Sequence, residues 1–213
     1  LSMIYTAIHQ DKVRNLLVLT PPVDFSDDGV MTNIAKSEHF DPDQIVEEYN
    51  HLIPPEIIHG GFKFKDALGN LSTPLTFWKI LAKDKALNDY FAMNDWVEDN
   101  VPVAAGFWKE LIEKMYKDNS MIENNYRMDG HPVDFKNITC PVIAIAGTKD
   151  NIVTPECAEG AIKIVGSEDT TFLLKKGGHI GVITGNVAKR ELWPDVHSWM
   201  SERSERVVKQ HGA

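Results

Sequence analysis

Two residues in this chain have the type and the setting for proton-transfer chemistry. Asp150 lies in Gly147-Thr148-Lys149-Asp150-Asn151-Ile152-Val153-Thr154-Pro155, and His179 lies in Gly177-Gly178-His179-Ile180-Gly181. A carboxylate that accepts a hydrogen bond from an imidazole fixes its tautomer and supports the charged ring, leaving the other ring nitrogen to take a proton from a nucleophile. Glycines on both sides of His179 let the backbone turn sharply and leave the ring uncrowded. Each residue also has a plainer reading. An Asp just past a strand is often the N-cap of the next helix, and a His in a Gly-rich loop is often structural. Their order favours a pair: acid first, histidine second, with one helix and one strand between, as at neighbouring strand tips of an open parallel sheet.

The nucleophile that such a pair would serve is absent. No Gly-x-Ser-x-Gly or Gly-x-Cys-x-Gly turn occurs anywhere in the 213 residues. Cys140, between Thr139 and Pro141, precedes a strand, at the wrong end for catalysis, and reads as a small buried apolar residue. Cys157 falls in the first turn of a helix, where a thiolate is favoured, but no elbow surrounds it. Ser2 precedes no glycine. A metal centre is not expected either. The histidines form no HExxH pair and no zinc spacing, and His9, His39, His51, His59, His131, His197 and His211 read as surface or packing residues. Neither a P-loop nor a GxGxxG is present, so no resident cofactor is expected.

Alternating strands and helices are what would position Asp150 and His179. Asn15-Leu16-Leu17-Val18-Leu19-Thr20, stopped by Pro21-Pro22, and Pro141 to Gly147 are short apolar runs suited to strands buried on both faces of a parallel sheet. Thr170 to Leu174 is a third strand. Helices are expected over residues 1–10, where Leu1, Ile4 and Ile8 share one face, from about Pro155 to Val165, and over roughly Val187 to Arg206. Between the first strand and the second lies a mostly helical insert with no strand pattern of its own. Asp41 before Pro42 and Thr73 before Pro74 signal helix starts, and Val103 to Lys117 carries Phe107, Leu111, Ile112, Met115 and Tyr116 at helical spacing. The expected class is therefore α/β: the C-terminal portion of an α/β-hydrolase fold, with core residues 1–23 and 131–213 and a helical cap over 24–130. The opening Leu-Ser-Met-Ile-Tyr reads as the middle of a helix, so the early strands and the nucleophile turn are expected upstream.

Composition narrows the function further. The hydrophobic fraction of 43% and charged fraction of 25% are those of an ordinary globular protein. A net charge of -9, with 22 basic residues scattered among 31 acidic ones, makes nucleic acid a poor partner. The apolar runs are far too short for a membrane span, two cysteines make no disulfide framework, and a cytoplasmic location is the default reading.

Longer phrases carry a family resemblance. Ser2-Met3-Ile4-Tyr5 through Asp11-Lys12-Val13-Arg14-Asn15-Leu16 to Pro22-Val23-Asp24-Phe25 resembles the segment after the nucleophile elbow of polyhydroxyalkanoate synthases. Further matches are Asn94-Asp95-Trp96-Val97-Glu98-Asp99, Val133-Asp134-Phe135-Lys136-Asn137-Ile138-Thr139-Cys140-Pro141-Val142, Lys149-Asp150-Asn151-Ile152-Val153 and Gly177-Gly178-His179-Ile180-Gly181. The likeness spans nearly the whole chain and looks closest to the two-component synthases. It implies an acyltransferase that polymerises (R)-3-hydroxyacyl groups from coenzyme A thioesters through a cysteine thiolate. His179 is then the base, and Asp150 orients it or helps it activate the incoming 3-hydroxyl. Also implied are a second synthase subunit, a homo-oligomer and association with the polyester granule surface. Phe77, Trp78, Phe91, Trp96 and Trp108 of the cap become either channel lining or helix core, with core the expectation for each. The cysteine, in this reading, lies upstream, so the chain alone is expected to be inactive. Two other readings stay open: a serine esterase or lipase of the same fold, and a non-catalytic remnant.

Overall fold

Val-Ile-Ala-Ile-Ala-Gly at 142–147 is apolar at every position, so a strand formed there has to be covered on both faces. The computed structural model describes residues 1–26, 30–58, 60 and 84–204, and in it all six of these residues are buried. In chain order, helix α1 (Ser2–Ile8) and a 3-10 turn (Gln10–Lys12) lead into strand β1 (Leu16–Leu19). Helices α2 (Val30–Lys36) and α3 (Pro42–Glu48) follow, then the short strand β2 (Leu52–Ile53) and helix α4 (Asp84–Glu98). A second short strand, β3 (Val103–Ala104), runs into helix α5 (Ala105–Glu110), which continues as π-type turns over Leu111–Lys117. Next come the paired short strands β4 (Arg127–Met128) and β5 (His131–Pro132), a 3-10 turn at Phe135–Asn137 and strand β6 (Val142–Gly147). Helix α6 (Pro155–Lys163), strand β7 (Thr170–Lys175), the single turn α7 (Gly181–Thr184) and helix α8 (Trp193–Glu202) end the described chain.

The chain divides into two compact units, one made of Leu1–Asp27 with Asn119–Ala213 and the other of Asp28–Asp118. The first holds a parallel sheet in the order β1-β6-β7, with Leu16 opposite Val142 and Val142 opposite Thr170. Because side chains alternate along a strand, its two faces gather different partners. Ile143 and Ile145 pack with Val182, Ala188, Leu192, Val196 and Trp199, with Leu17, Leu19 and Leu173 beside them. Ala146 packs with Val153, Cys157 and Ala158, and Phe172 lies against that cluster. Helices thus cover both faces, and each buried Val, Leu or Ile contributes roughly 1.5–3 kcal/mol.

Polar clasps tie the margins of this unit. Asn119, buried and at φ 48°, donates to Asp24 Oδ1 at 3.2 Å and to Ser26 Oγ at 3.0 Å, and accepts from the Phe25 amide at 3.0 Å. Burial alone would push the Asp24 carboxyl up. The hydrogen bonds from Ser26 and Asn119, with the charge of Lys163, bring it below its ordinary value. These bonds join residues 24–26 to residue 119, so the segment after Asp118 belongs with the sheet. At the strands' N-terminal ends, Arg203 donates to both Asp169 oxygens, at 2.7 and 2.8 Å, and its guanidinium lies 4.5 Å from the Trp199 ring centre. The Trp199 indole donates to Thr171 Oγ1 at 3.0 Å, and Asn15 donates to the Arg203 carbonyl at 3.3 Å.

In the second unit, Ile53, Ala35, Ala105, Trp108 and Ile112 form a core flanked by Phe40, Ile45, Val46 and Tyr49. Asp41 caps α3, accepting from the Asp43 amide at 2.9 Å, with Pro42 in the first turn. The helix start expected at Thr73-Pro74 lies outside the described residues, as do Phe77 and Trp78.

Several expectations need correction. The insert does contain strand: β2 and β3 pair antiparallel, Leu52 opposite Ala104 and Ile53 opposite Val103. Two residues are too few to show an alternating pattern, so nothing in the sequence marked them. In α1 the buried face is Met3, Ile4 and Ala7, while Leu1 and Ile8 are exposed. The helix expected from Val103 begins at Ala105 and widens after Glu110, the Asp118 amide bonding to the Glu113 carbonyl five residues back. The last helix is also interrupted. Pro194 has no amide to bond four residues back, and wide turns at Ala188–Leu192 precede α8. Of the aromatic residues, Trp108 is core, whereas Phe91 and Trp96 are exposed.

The Asp169–Arg203 pair makes stability depend on acid. Hydrogen bonds from Arg203 hold the Asp169 carboxyl below its ordinary value, against a smaller upward push from burial. A depressed carboxylate pKa stabilises the fold above the unfolded value, about 3.9, and that stability is lost as pH falls through the folded one. Asp169→Asn should therefore be less stable than the wild type at neutral pH, with the gap closing below about pH 3.9. Urea midpoints measured from pH 7 to pH 3 check this; a gap independent of pH would mean that the ion pair contributes nothing.

Candidate active site

Both loops of interest leave the carboxyl ends of adjacent parallel strands, Asp150 after β6 and His179 after β7. Backbone bonds stitch the two loops together. The Thr148 amide donates to the Lys175 carbonyl at 2.9 Å, and the Lys149 amide to the Gly177 carbonyl at 2.9 Å. This stitching needs glycine at the end of β6, because a Cβ on Gly147 would stand 2.6 Å from the Gly177 oxygen. Gly177 is equally confined, a Cβ there falling 2.8 Å from the Val182 amide nitrogen. The Val182 amide in turn bonds the Gly178 carbonyl at 2.9 Å, so α7 begins directly beyond His179.

The two carboxylate oxygens of Asp150 have separate tasks. Oδ1 accepts from the amides of Ile152 at 2.9 Å and Val153 at 2.8 Å, closing the turn. Oδ2 lies 2.8 Å from His179 Nδ1. The Asp150 side chain is fully buried, while that of His179 is 31% exposed. A carboxylate can only accept, so Nδ1 carries the hydrogen and Nε2 of the neutral ring presents a lone pair. Among the described residues nothing bonds Nε2. A fixed ring with a bare, partly open nitrogen is set up to accept a proton from a group placed before it.

The helix-cap reading of Asp150 does not hold. Thr154 caps α6, its hydroxyl accepting from the Cys157 amide at 3.2 Å. Of the residues set aside earlier, Cys157 is buried in the first turn of α6, and its carbonyl accepts from the Asp24 amide at 3.1 Å. Cys140 is half-buried rather than buried, because β6 begins only at Val142; burial pushes its thiol up, away from the reactive thiolate. Ser2 is exposed at the start of α1. His9 is half-buried against the Tyr5 ring, His39, His51, His131 and His197 are exposed, and His59 and His211 lie outside the described residues. Among the described residues no three His, Cys, Asp or Glu side chains gather as a metal site, and no helix is long and apolar enough to cross a membrane.

One residue near the strand tips gave no sequence signal. Thr20, just past β1, is buried and has φ 43° while its amide donates to the Ile145 carbonyl at 2.8 Å. A β-branched residue in that region costs on the order of 1–3 kcal/mol. The following Pro21 favours extended backbone instead, so local chemistry argues against the conformation that packing imposes.

Residues 78–204 match the family model described as the PHB de-polymerase C-terminus. Over 96% of its length the chain is 29% identical to the poly(3-hydroxyalkanoate) polymerase subunit PhaC of Haloarcula marismortui, covering 43% of that protein. The corresponding subunit of Allochromatium vinosum is 29% identical over 95% of the chain, which covers 57% of it. The chain thus spans about half the length of the curated relatives it matches. Among solved structures, the putative non-heme bromoperoxidase BpoC of Mycobacterium tuberculosis superposes with a TM-score of 0.50 at 12% identity, over 95% of this chain and 63% of that one, a likeness of fold alone.

The division of labour at Asp150 can be measured. Asp150→Ala strips an acceptor from two amides, one of them buried, and should destabilise the protein by about 1–3 kcal/mol, whereas Asp150→Asn keeps an oxygen for the turn and should cost clearly less. Denaturant unfolding of both variants separates these outcomes; equal losses would mean that Oδ1 does not hold the loop. With an α/β-hydrolase fold, similarity to poly(3-hydroxyalkanoate) polymerase subunits over 95–96% of its length and a family match across residues 78–204, the chain belongs to the PHB de-polymerase C-terminus family.

Proposed function

We propose that this chain carries the acid and base of an acyltransferase that polymerises (R)-3-hydroxyacyl groups from coenzyme A thioesters, its cysteine nucleophile lying outside the 213 residues. The observation that carries the reading is the Asp150–His179 hydrogen bond, which leaves Nε2 of a fixed imidazole bare at the rim of the sheet. Similarity to polymerase subunits over 95–96% of the chain supports the substrate class. In the reading, His179 Nε2 takes the thiol proton and the thiolate attacks the thioester carbonyl. Coenzyme A leaves as its thiolate and recovers that proton from the imidazolium. His179 then takes the proton of a 3-hydroxyl, whose oxygen attacks the acyl-cysteine, forming the ester and releasing the cysteine sulfur, which is reprotonated by the same ring. Asp150 holds the ring through both half-reactions. Cysteine suits this exchange, since its sulfur ionises readily and the swap between thioesters is nearly level in energy. The reaction needs no resident cofactor. A second synthase subunit, self-association and the surface of a polyester granule are the partners this reading carries with it.

The description of the matching family favours one other reading, hydrolysis of the same polyester. Water would then replace the 3-hydroxyl as acceptor, and the same base would activate it. The two readings differ in the ester or thioester that acylates the enzyme and in what the acyl-enzyme then meets, not in Asp150 and His179.

Coenzyme A release from 3-hydroxybutyryl-coenzyme A, with the polymer weighed or imaged, tests the proposal in the native polypeptide that carries this chain. His179→Ala and Asp150→Asn should each lower kcat by about 10²–10⁴-fold. The 213 residues alone, lacking a Gly-x-Cys-x-Gly turn, should release none. Undiminished turnover in His179→Ala, or release by the isolated chain, would overturn the assignment. Hydrolysis of polyester without use of the thioester would favour the second reading.

A further inference from the structure

The loops around Asp150 and His179 run against the overall charge of the chain. The protein carries a net charge of -9, yet residues 170–190 include Lys175, Lys176, Lys189 and Arg190 and no Asp or Glu. In the other loop, between Gly147 and Pro155, the ionisable residues are Lys149 and the buried Asp150. Lys175 is neutralised by an ion pair with Asp195 at 2.5 Å. Lys149 and Lys176 are not. Both are exposed, and among the described residues neither ammonium group has a hydrogen bond or an ion pair. The stitch from the Lys149 amide to the Gly177 carbonyl brings the two lysine-bearing backbones side by side, one residue from Asp150 on one loop and three from His179 on the other. A polyanion bound beside these loops can gain a charge-assisted contact from each lysine.

We propose that Lys149 and Lys176 receive the phosphate groups of the acyl carrier, a phosphorylated pantetheine nucleotide, at the rim of the Asp150–His179 site. The inference rests on the acyltransferase reading for the identity of the carrier and on the charge placement for the residues. A long, uncharged pantetheine arm separates the phosphates of such a carrier from its thioester. Phosphates held at the rim by exposed lysines therefore leave the reacting carbonyl free to reach the imidazole. Lysine suits a phosphate that has to leave after each turnover, being a strongly hydrated point charge without the forked geometry of arginine. In an otherwise acidic protein, this rim also draws the anionic carrier toward the correct face.

Binding and turnover distinguish this idea from the reading beneath it. Calorimetry with the native polypeptide that carries this chain compares coenzyme A with phosphate-free pantetheine, in the wild type and in the double variant Lys149→Gln/Lys176→Gln. The variant should bind coenzyme A about five- to tenfold more weakly, approaching the wild-type affinity for pantetheine, and the wild-type advantage should shrink as salt is raised. In turnover, the KM for 3-hydroxybutyryl-coenzyme A should rise by a similar factor. Equal coenzyme A affinity in variant and wild type, or equal wild-type affinity for coenzyme A and pantetheine, overturns the lysine site. If the lysines bind coenzyme A but no thioester is consumed, the site stands and the acyltransferase reading falls. Should the thioester be consumed with the same KM in both proteins, the reading stands and the site falls.

Discussion

One hydrogen bond, from His179 Nδ1 to Asp150 Oδ2, organises the loops at the carboxyl ends of the parallel strands. It works only because the other oxygen of the same carboxylate is occupied. Oδ1 holds the amides of Ile152 and Val153, which pins the carboxylate within its own turn and leaves Oδ2 a single direction. A buried carboxylate without such partners would be costly. Here three donors meet it. The imidazole is therefore oriented by a group that is itself held rigidly, which is what a general base requires if its free nitrogen is to meet a reacting proton reproducibly.

That arrangement depends on strand packing some distance away. The Asp and His loops are neighbours because β6 and β7 lie side by side in register, Gly147 opposite Lys175, so that both loops leave the sheet at one level. The register is enforced by burial. Ile143 and Ile145 face one helical layer while Ala146 faces the other, and a slip of one residue would turn each into the wrong layer. The Arg203 clasp acts at the opposite ends of the strands, joining Asp169 before β7 to the last helix, and Asn15 before β1 to the same arginine. Closely confined glycines at 147 and 177 then let the loops approach as backbone to backbone.

Membership of a family described by breakdown of a polyester, with relatives named for polymerising such monomers, is physically coherent. Making or cutting a polyester bond passes through the same acyl-enzyme chemistry, and a base with a bare Nε2 serves either acceptor. What chooses between them is control of water and of the carrier's access. If Lys149 and Lys176 receive the carrier's phosphates as proposed, they bear on that choice by favouring an anionic thioester over an uncharged polymer segment.

The sequence by itself determined those features whose causes are local. The continuous apolar run at 142–147 announced a doubly covered strand, Asp41-Pro42 and the proline at 155 marked helix starts, and the Gly-Gly-His phrase marked a sharp loop. Asp150 and His179 were recognisable because their types, order and spacing follow from strand-end chemistry. Tertiary structure decided what depends on partners distant in the chain. It gave Asp150 the pairing with His179, turned the buried face of α1 to Met3, Ile4 and Ala7, left Phe91 and Trp96 exposed, and forced Thr20 into a conformation that its own side chain and the next proline both oppose. The reason is common to all of these. Periodicity and capping act over a few residues, whereas burial and strain are settled by whichever surfaces the fold brings together.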